Sequence, residues 1–165
     1  MMTQLIACPI CAWSPDNPVY VLLYETDTWR VVLAPNQALV GRCILHLKRH
    51  CADLADLTAD EVFDWLAVIK VMENALRTAF DATLFNVSCY MNHAYRENPP
   101  NPHIHWWFVP RYNHAVELQD WTFEDPEFGN PYRHDLLLEA PQALHQEIGA
   151  RIRLALEDSR TRQNK

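Results

Sequence analysis

A long amphipathic segment in the middle of the chain sets the strongest limit on its architecture. It opens on Thr58, Ala59, Asp60 and Glu61, a capping pattern in which the threonine hydroxyl and the glutamate carboxylate satisfy N–H groups at a helix start. Apolar residues then recur at helical spacing as far as position 80, at Val62, Trp65, Leu66, Ile69, Met72, Leu76 and Phe80. This pattern predicts a helix whose apolar stripe forms core or a dimer surface.

Short runs of β-branched and aromatic residues flank the predicted helix on both sides. Runs at residues 19–25 and 29–33 predict a hairpin, and further strands are predicted at 42–47, 84–91 and 103–109. A second helix is predicted from about 141 to 156, with Pro141 tolerated at its first turn. Because strands and helices do not alternate, we expect an α+β domain with an antiparallel five-stranded sheet, one long helix and one C-terminal helix.

The composition favours one compact domain. The chain has 165 residues, 49% of them hydrophobic, and only three glycines against eleven prolines, so nothing resembles a flexible linker. We expect a single domain over residues 1–157 and a frayed polar tail over 158–165.

Charge and hydropathy exclude several partners. The formal charge is −7 and the 14 basic residues are scattered, so a long nucleic acid is not expected as a partner. No window approaches the roughly eighteen apolar residues that span a bilayer. The first thirteen residues carry no lysine or arginine and include a proline, which does not fit an export signal. We therefore expect a cytoplasmic protein without a membrane partner, whose cysteines stay reduced.

Cys8 and Cys11 are spaced to offer two sulfurs to one metal ion. The alternatives are a thioredoxin-like redox motif, which normally follows a strand at a helix start, and two small buried residues. A tetrahedral zinc site needs two more ligands, and His50 and His103 are candidates. Spacing alone does not choose among the histidines, which also include His46, His93, His105 and His114.

His103 and His105 lie two positions apart in a predicted strand. Their side chains would project from one face of the sheet while Ile104 projects from the other. A neutral imidazole can attack phosphorus and later leave from it. The alternative is a pair of surface or hydrogen-bonded histidines, and the spacing leaves both open.

Four separate elements resemble the histidine triad family. Residues 101–111, NPHIHWWFVPR, resemble its signature H-φ-H-φ-H-φ-φ, in which φ is apolar, and residues 41–50, GRCILHLKRH, are similar to its G-H-x-L-φ-φ-P-K-x-H strand. Cys8 and Cys11 match the CxxC of its zinc-bearing branch. Asn92 lies eleven positions before His103, where the family has an asparagine near the catalytic phosphate. The resemblance covers residues 5–112, and residues 113–157 add an aromatic segment and the C-terminal helix.

The resemblance implies an enzyme that acts on nucleotides. His105 would attack the α-phosphate of a nucleoside polyphosphate, such as a diadenosine polyphosphate, or of a phosphoramidate, and form a covalent nucleotidyl-histidine. A structural Zn²⁺ would be held by Cys8, Cys11, His50 and His103, which leaves no open position to activate water. The implied partners are a nucleotide or dinucleotide substrate and a second copy of the chain in a homodimer.

The third triad position departs from the family because it is Trp107, whose indole has one N–H donor and no basic nitrogen. Uridylyltransferases related to the family have glutamine there, so two histidines can suffice. One alternative function is a zinc-stabilised nucleotide-binding module with little or no catalysis. Another is a zinc hydrolase in which His105 is itself a ligand. The segment 121–129 is interpreted as a surface flap packed by its aromatic residues, with coverage of a nucleobase as the alternative.

Substrate contacts are also displaced from the family pattern. Asn98 and the two prolines at 99–100 replace residues that often donate to phosphate, and proline has no N–H to donate. We therefore expect phosphate contacts from elsewhere, with Asn92, Arg96, Asn98 and Asn101 as the candidates. The acid that usually binds ribose is replaced by Ala34, with Asn36 nearby as a substitute.

Overall fold

A computed structural model describes residues 8–17, 19–133 and 135–163 and confirms the α+β architecture. A five-stranded antiparallel sheet has the order β1-β2-β3-β5-β4. Its strands are β1 (Leu22–Glu25), β2 (Trp29–Leu33), β3 (Cys43–Leu47), β4 (Leu84–Ser88) and β5 (His105–Arg111). The helices are α1 (Ala59–Phe80) and α2 (Gln142–Gln163), and β6 (Val116–Leu118) pairs with β7 (Trp121–Phe123) in a separate hairpin. Leu54–Asp56 and Asn92–Arg96 form short 3-10 helices.

Several element bounds differ from the prediction. β1 starts at Leu22 rather than at position 19, and β4 ends at Ser88 rather than at position 91. β5 starts at His105, so His103 precedes the strand instead of opening it. The second helix continues past position 156 to Gln163, so residues 158–163 are helical rather than frayed, and 164–165 lie outside the described residues.

Helix α1 starts where the capping pattern predicts it. The Thr58 side chain accepts from the Glu61 N–H, and the Glu61 side chain accepts from the Thr58 N–H. The buried face differs from the predicted stripe in the first turns, where Val62 and Leu66 are 44% and 43% exposed. From Trp65 onward the predicted stripe faces the core, because Trp65 packs on Trp106 and Ile69, Met72, Leu76 and Phe80 are buried. The first turn is tied to the sheet by the bond from Trp29 Nε1 to the Glu61 carbonyl.

The two faces of the sheet have different roles. Both helices contribute to the core on one face, against alternate strand residues such as Trp29, Leu33, Leu45 and Phe108. The other face carries Ile44 beside Trp107 and His46 beside His105, each pair joined across β3 and β5. Trp13 and Tyr20 from the N-terminal segment pack on this second face. His105, the predicted nucleophile, therefore lies on the face of the sheet opposite the main core.

The segment after β5 is anchored by a buried ion pair. Arg111 donates from Nε and Nη2 to the two carboxylate oxygens of Asp125, at 2.6 and 2.9 Å, and both side chains are 1% exposed. Its Nη1 also donates to Asn86 Oδ1 at 2.8 Å. Phe123 is buried in the main core. Residues 121–129, interpreted as a surface flap packed by its aromatic residues, are thus held to the domain by this ion pair and by Phe123.

Among the described residues, neither α1, α2 nor any shorter helix has the length and apolar content needed to cross a membrane.

Candidate functional site

Cys8, Cys11, His50 and His103 converge beside the start of β5. Their candidate ligand atoms all lie within 4.8 Å of one another. The Sγ of Cys8 is 3.2 Å from His103 Nδ1, and the Sγ of Cys11 is 3.4 Å from that nitrogen and 3.5 Å from His50 Nδ1. Tetrahedral zinc with ordinary Zn–S and Zn–N bonds separates neighbouring sulfur and nitrogen ligands by about 3.5 Å. The cluster therefore supports a structural zinc site.

The hydrogen bonding of His103 also fits a metal ligand. Its Nε2–H donates to the main-chain oxygen of Leu47 at 2.7 Å, and a carbonyl oxygen accepts only. The Nδ1 lone pair is then free to bind a metal, in the arrangement that orients most metal-binding histidines. His103 is 3% exposed, which keeps this geometry fixed by packing.

Each ligand is placed by a short local structure. Cys8 and Cys11 share a turn closed by a hydrogen bond from the Ala12 N–H to the Cys8 carbonyl at 3.0 Å. His50 follows β3 directly, after Arg49, whose guanidinium donates to both carboxylate oxygens of Glu61 at 2.5 and 2.8 Å. This contact ties the His50 segment to the start of α1. Arg49 lowers the pKa of Glu61 to about 2.

His105 is held in one tautomer by its own chain. Its Nδ1–H donates to the main-chain oxygen of His103 at 2.8 Å. Nε2 is therefore unprotonated when the ring is neutral and has a lone pair available for attack. Cross-strand His46 stays neutral beside it, because burial first and the nearby Arg30 second lower the pKa of His46 to about 3.

A cavity of about 480 Å³ opens beside His105. Asn92 and His93, from the short helix after β4, line it together with Trp107. The full lining comprises Arg42, Tyr90, Met91, Asn92, His93, Ala94, His105, Trp107 and Tyr132. Its size suits the phosphate end of a nucleotide, and Asn92 lies where the sequence analysis expects a phosphate contact.

A second cavity of about 310 Å³ shares His105 and Trp107 with the first. Trp13 and Tyr20 border it, and its floor includes Val32, which with Ile44 belongs to the small apolar cluster on this sheet face. Such aromatic and aliphatic walls suit a nucleobase. The two cavities therefore meet at His105 and Trp107.

Three other predicted substrate contacts are not brought to these cavities. The Asn36 amide is occupied, because Nδ2 donates to the Leu136 carbonyl and Oδ1 accepts from the Ala38 and Leu138 N–H groups. These bonds tie the chain before α2 to the β2–β3 connection, and ribose binding by Asn36 stays a prediction. Asn98 and Asn101 line neither cavity. Both lie between the Asn92–Arg96 helix and the start of β5.

Three residues that line the two cavities are not among the predicted site residues: Arg42, Tyr132 and Trp13. Arg42 occupies the second position of the 41–50 segment, where the resembling family has histidine, and that exchange was the available signal. The guanidinium of Arg42 lies 4.3 Å above the Trp107 ring. Tyr132 and Trp13 come from segments outside the recognised motifs, so only the fold reveals their place.

Solved structures with a similar fold include histidine triad proteins. A Zn-bound histidine triad family protein from Mycobacterium smegmatis superposes with a TM-score of 0.62 at 23% identity, covering 94% of this chain and 96% of that chain. A hypothetical histidine triad nucleotide-binding protein from Sulfolobus tokodaii has a TM-score of 0.66 at 12% identity, covering 92% and 93%.

A larger enzyme contains the same fold. A uridylyltransferase structure matches with a TM-score of 0.59 at 17% identity, covering 92% of this chain but 45% of that chain. No family model matches the sequence, and no curated protein matches it. At these identities the likeness concerns the fold, and the chain has the histidine triad fold.

Proposed function

We propose that this protein is a nucleotide hydrolase or nucleotidyltransferase that acts at the α-phosphate of a nucleoside polyphosphate or phosphoramidate. His105 is the nucleophile and the reaction passes through a covalent nucleotidyl-histidine. The observation that carries this proposal is the 2.8 Å hydrogen bond from His105 Nδ1 to the His103 carbonyl, which leaves Nε2 as the basic nitrogen at the junction of two cavities.

The first step forms a bond from His105 Nε2 to the α-phosphorus and breaks the bond to the leaving group, which departs with the electron pair. The imidazole ring becomes positively charged, and the His103 carbonyl stabilises that charge through the Nδ1–H bond. Water or another acceptor then attacks the same phosphorus, loses its proton, and releases His105 as a neutral imidazole. Asn92 is the proposed phosphate contact, since it lines the same cavity.

The proposed metal ligands are Cys8, Cys11, His50 and His103, which would hold Zn²⁺ as a structural ion. Four protein ligands complete the tetrahedron that zinc prefers in structural sites. Bound zinc would supply a cross-link between the N-terminal turn and the start of β5. The zinc hydrolase alternative has no support in this cluster, because His105 is not part of it. The homodimer and the cytoplasmic location stay predictions.

Nucleotide turnover and covalent trapping test the proposal together. The zinc-loaded full chain is incubated with diadenosine tetraphosphate or adenosine phosphoramidate, and adenylate trapped on the protein is measured as an acid-labile, alkali-stable label. We expect turnover and label with wild type and neither with His105→Ala. His114→Ala is a matched control, because that histidine is exposed and contacts Asn113 outside both cavities. Equal turnover by His105→Ala would rule out the proposed nucleophile.

A second candidate function is a zinc-stabilised nucleotide-binding module with little or no catalysis. Trp107 favours it, because indole replaces the third basic side chain of the triad. Nucleotide binding by calorimetry, without turnover and without trapped label, would select this function over the first.

A further inference from the structure

Arg42 is the cation of the proposed active site that lacks an acidic partner. It lines the same cavity as His105 and Asn92. Among the described residues, no salt bridge involves Arg42, and its Nε is buried without a hydrogen-bond acceptor. By contrast, Arg111, at the end of β5, is paired with the carboxylate of Asp125.

Two aromatic rings hold the Arg42 guanidinium in place. It lies 4.3 Å from the Trp107 ring centroid and 5.8 Å from that of Tyr132, both of which line the cavity. A cation above an indole face is stabilised electrostatically and keeps its N–H donors at the edge of the plane. Burial also lowers the pKa of Arg42, although a guanidinium stays charged at neutral pH. A fixed, partly dehydrated guanidinium without an acidic partner fits an oxyanion, and phosphate is one of the oxyanions that its planar fork of donors matches.

Trp107 connects this cation to the proposed nucleophile. The His105 and Trp107 rings meet edge to face at 6.4 Å between centroids, and Arg42 covers the Trp107 face. A phosphate chain whose first phosphorus lies at His105 would extend along the same cavity toward Arg42. The charge that the third histidine would contribute is thus supplied by Arg42, the residue directly before β3.

Resting on the proposed function, we infer that Arg42 binds the phosphate beyond the scissile bond, so that the site selects nucleotides whose leaving group is itself a phosphate. When His105 attacks the α-phosphorus, the bridging oxygen keeps the electron pair of the broken bond and the leaving phosphate gains one negative charge. Arg42 stabilises that charge without transferring a proton. An amine leaving group gains no such charge and needs a proton instead, which neither indole nor guanidinium readily gives at neutral pH.

Binding of inorganic pyrophosphate tests this role without requiring catalysis. The zinc-loaded full chain is titrated by calorimetry as wild type, Arg42→Ala and Arg42→Lys. We expect Arg42→Ala to weaken binding by about 30-fold or more, as for truncating one partner of a buried charged contact. Arg42→Lys keeps the charge but loses the planar fork, so its affinity should fall between the two. Arg151→Ala is the matched control, because Arg151 lies over the Phe80 ring, away from both cavities.

The same variants are then compared on diadenosine tetraphosphate and adenosine phosphoramidate. Arg42→Ala should lower kcat/KM at least about tenfold more for the tetraphosphate than for the phosphoramidate. The inference is wrong if pyrophosphate does not bind wild type, or if it binds Arg42→Ala as tightly as wild type. Either result would overturn it even if His105 is the nucleophile. If pyrophosphate binding depends on Arg42 but neither substrate is turned over, the proposed function fails and the anion site stands. Thermal melting of each variant confirms that it is folded.

Discussion

His105 donates a 2.8 Å hydrogen bond from Nδ1 to the main-chain oxygen of His103. One residue thus belongs to the candidate metal cluster through its side chain and orients the proposed nucleophile through its backbone. The His103 ring is bonded to the Leu47 carbonyl through Nε2, and its Nδ1 faces the other candidate ligands, so a bound metal would add a second restraint on this residue. We therefore expect the metal site and the proposed nucleophile to be coupled.

This coupling predicts that metal removal affects both stability and chemistry. Extracting zinc with a chelator under reducing conditions, or Cys11→Ser, should lower Tm by about 10 °C or more. Covalent labelling of His105 should fall in parallel because its orienting carbonyl is released. Zinc content by atomic absorption, calorimetric melting and the labelling assay check these outcomes. Cys89→Ser is the control for zinc content and Tm alone, since Cys89 lies outside the ligand cluster but its thiol is hydrogen-bonded to the His105 backbone. Equal zinc loss in Cys11→Ser and Cys89→Ser would contradict the assignment of the ligands.

The buried Arg111–Asp125 pair predicts a large stability effect far from the cluster. Asp125→Asn leaves the Arg111 guanidinium buried without its counter-charge, and we expect a loss of about 3–5 kcal/mol in unfolding free energy. Asp135→Asn removes the partner of Arg133 in an exposed pair and should cost about 1 kcal/mol or less. Urea unfolding of both variants measures the difference. Similar losses would show that the buried pair has no special role.

The local features of the fold can be predicted from the sequence, whereas the long-range contacts cannot. The capping pattern at Thr58 fixes the helix start because it depends on residues three positions apart. The Arg111–Asp125 contact and the stacking of Arg42 on Trp107 depend on chain folding across 14 and 65 positions, and no periodicity reports them. His103 was expected inside β5. It lies before the strand because its side chain and backbone bond to the end of β3 and to His105.

The Glu61–Arg49 ion pair predicts a pH-dependent contribution to stability. Arg49 lowers the pKa of Glu61 to about 2 in the folded chain, against about 4.3 for an unperturbed glutamate. The stabilisation is thus complete above the unfolded pKa and is lost as pH falls toward the folded pKa. Glu61→Gln retains a side chain suited to the helix cap, so it removes mainly the charge. We expect its deficit in unfolding free energy at pH 6 to shrink by pH 3.

The control for that experiment is Glu73→Gln, which breaks an exposed pair with Arg77 on the same helix. Its deficit should stay within about 0.5 kcal/mol. A Glu61→Gln deficit that does not change between pH 6 and pH 3 would contradict the role of the Glu61 charge.

Gly41 predicts a steric limit beside Arg42. Its φ is +83°, and a Cβ there would lie 2.6 Å from the Leu76 side chain. Gly41→Ala combines the left-handed backbone penalty with overpacking, so we expect a loss of about 2–4 kcal/mol. Gly129 has a φ of +87° with nothing within 4 Å of such a Cβ, so Gly129→Ala should cost only about 1 kcal/mol. Urea unfolding of the two variants measures both losses in unfolding free energy. Equal losses would mean that the contact with the Leu76 side chain adds nothing to the backbone penalty.

Replacing Trp107 should change the preference between phosphate and amine leaving groups. Trp107→His introduces an imidazole that can protonate a departing amine, but it removes the ring that lies 4.3 Å below Arg42. We expect kcat/KM to rise for adenosine phosphoramidate and to fall for diadenosine tetraphosphate. Trp107→Phe keeps an aromatic platform without a titratable group, so the ratio of the two values should stay within about threefold of wild type. Steady-state kinetics of wild type, Trp107→His and Trp107→Phe measure these ratios. If kcat/KM of Trp107→His rises for both substrates, the indole only obstructs the cavity and does not position Arg42.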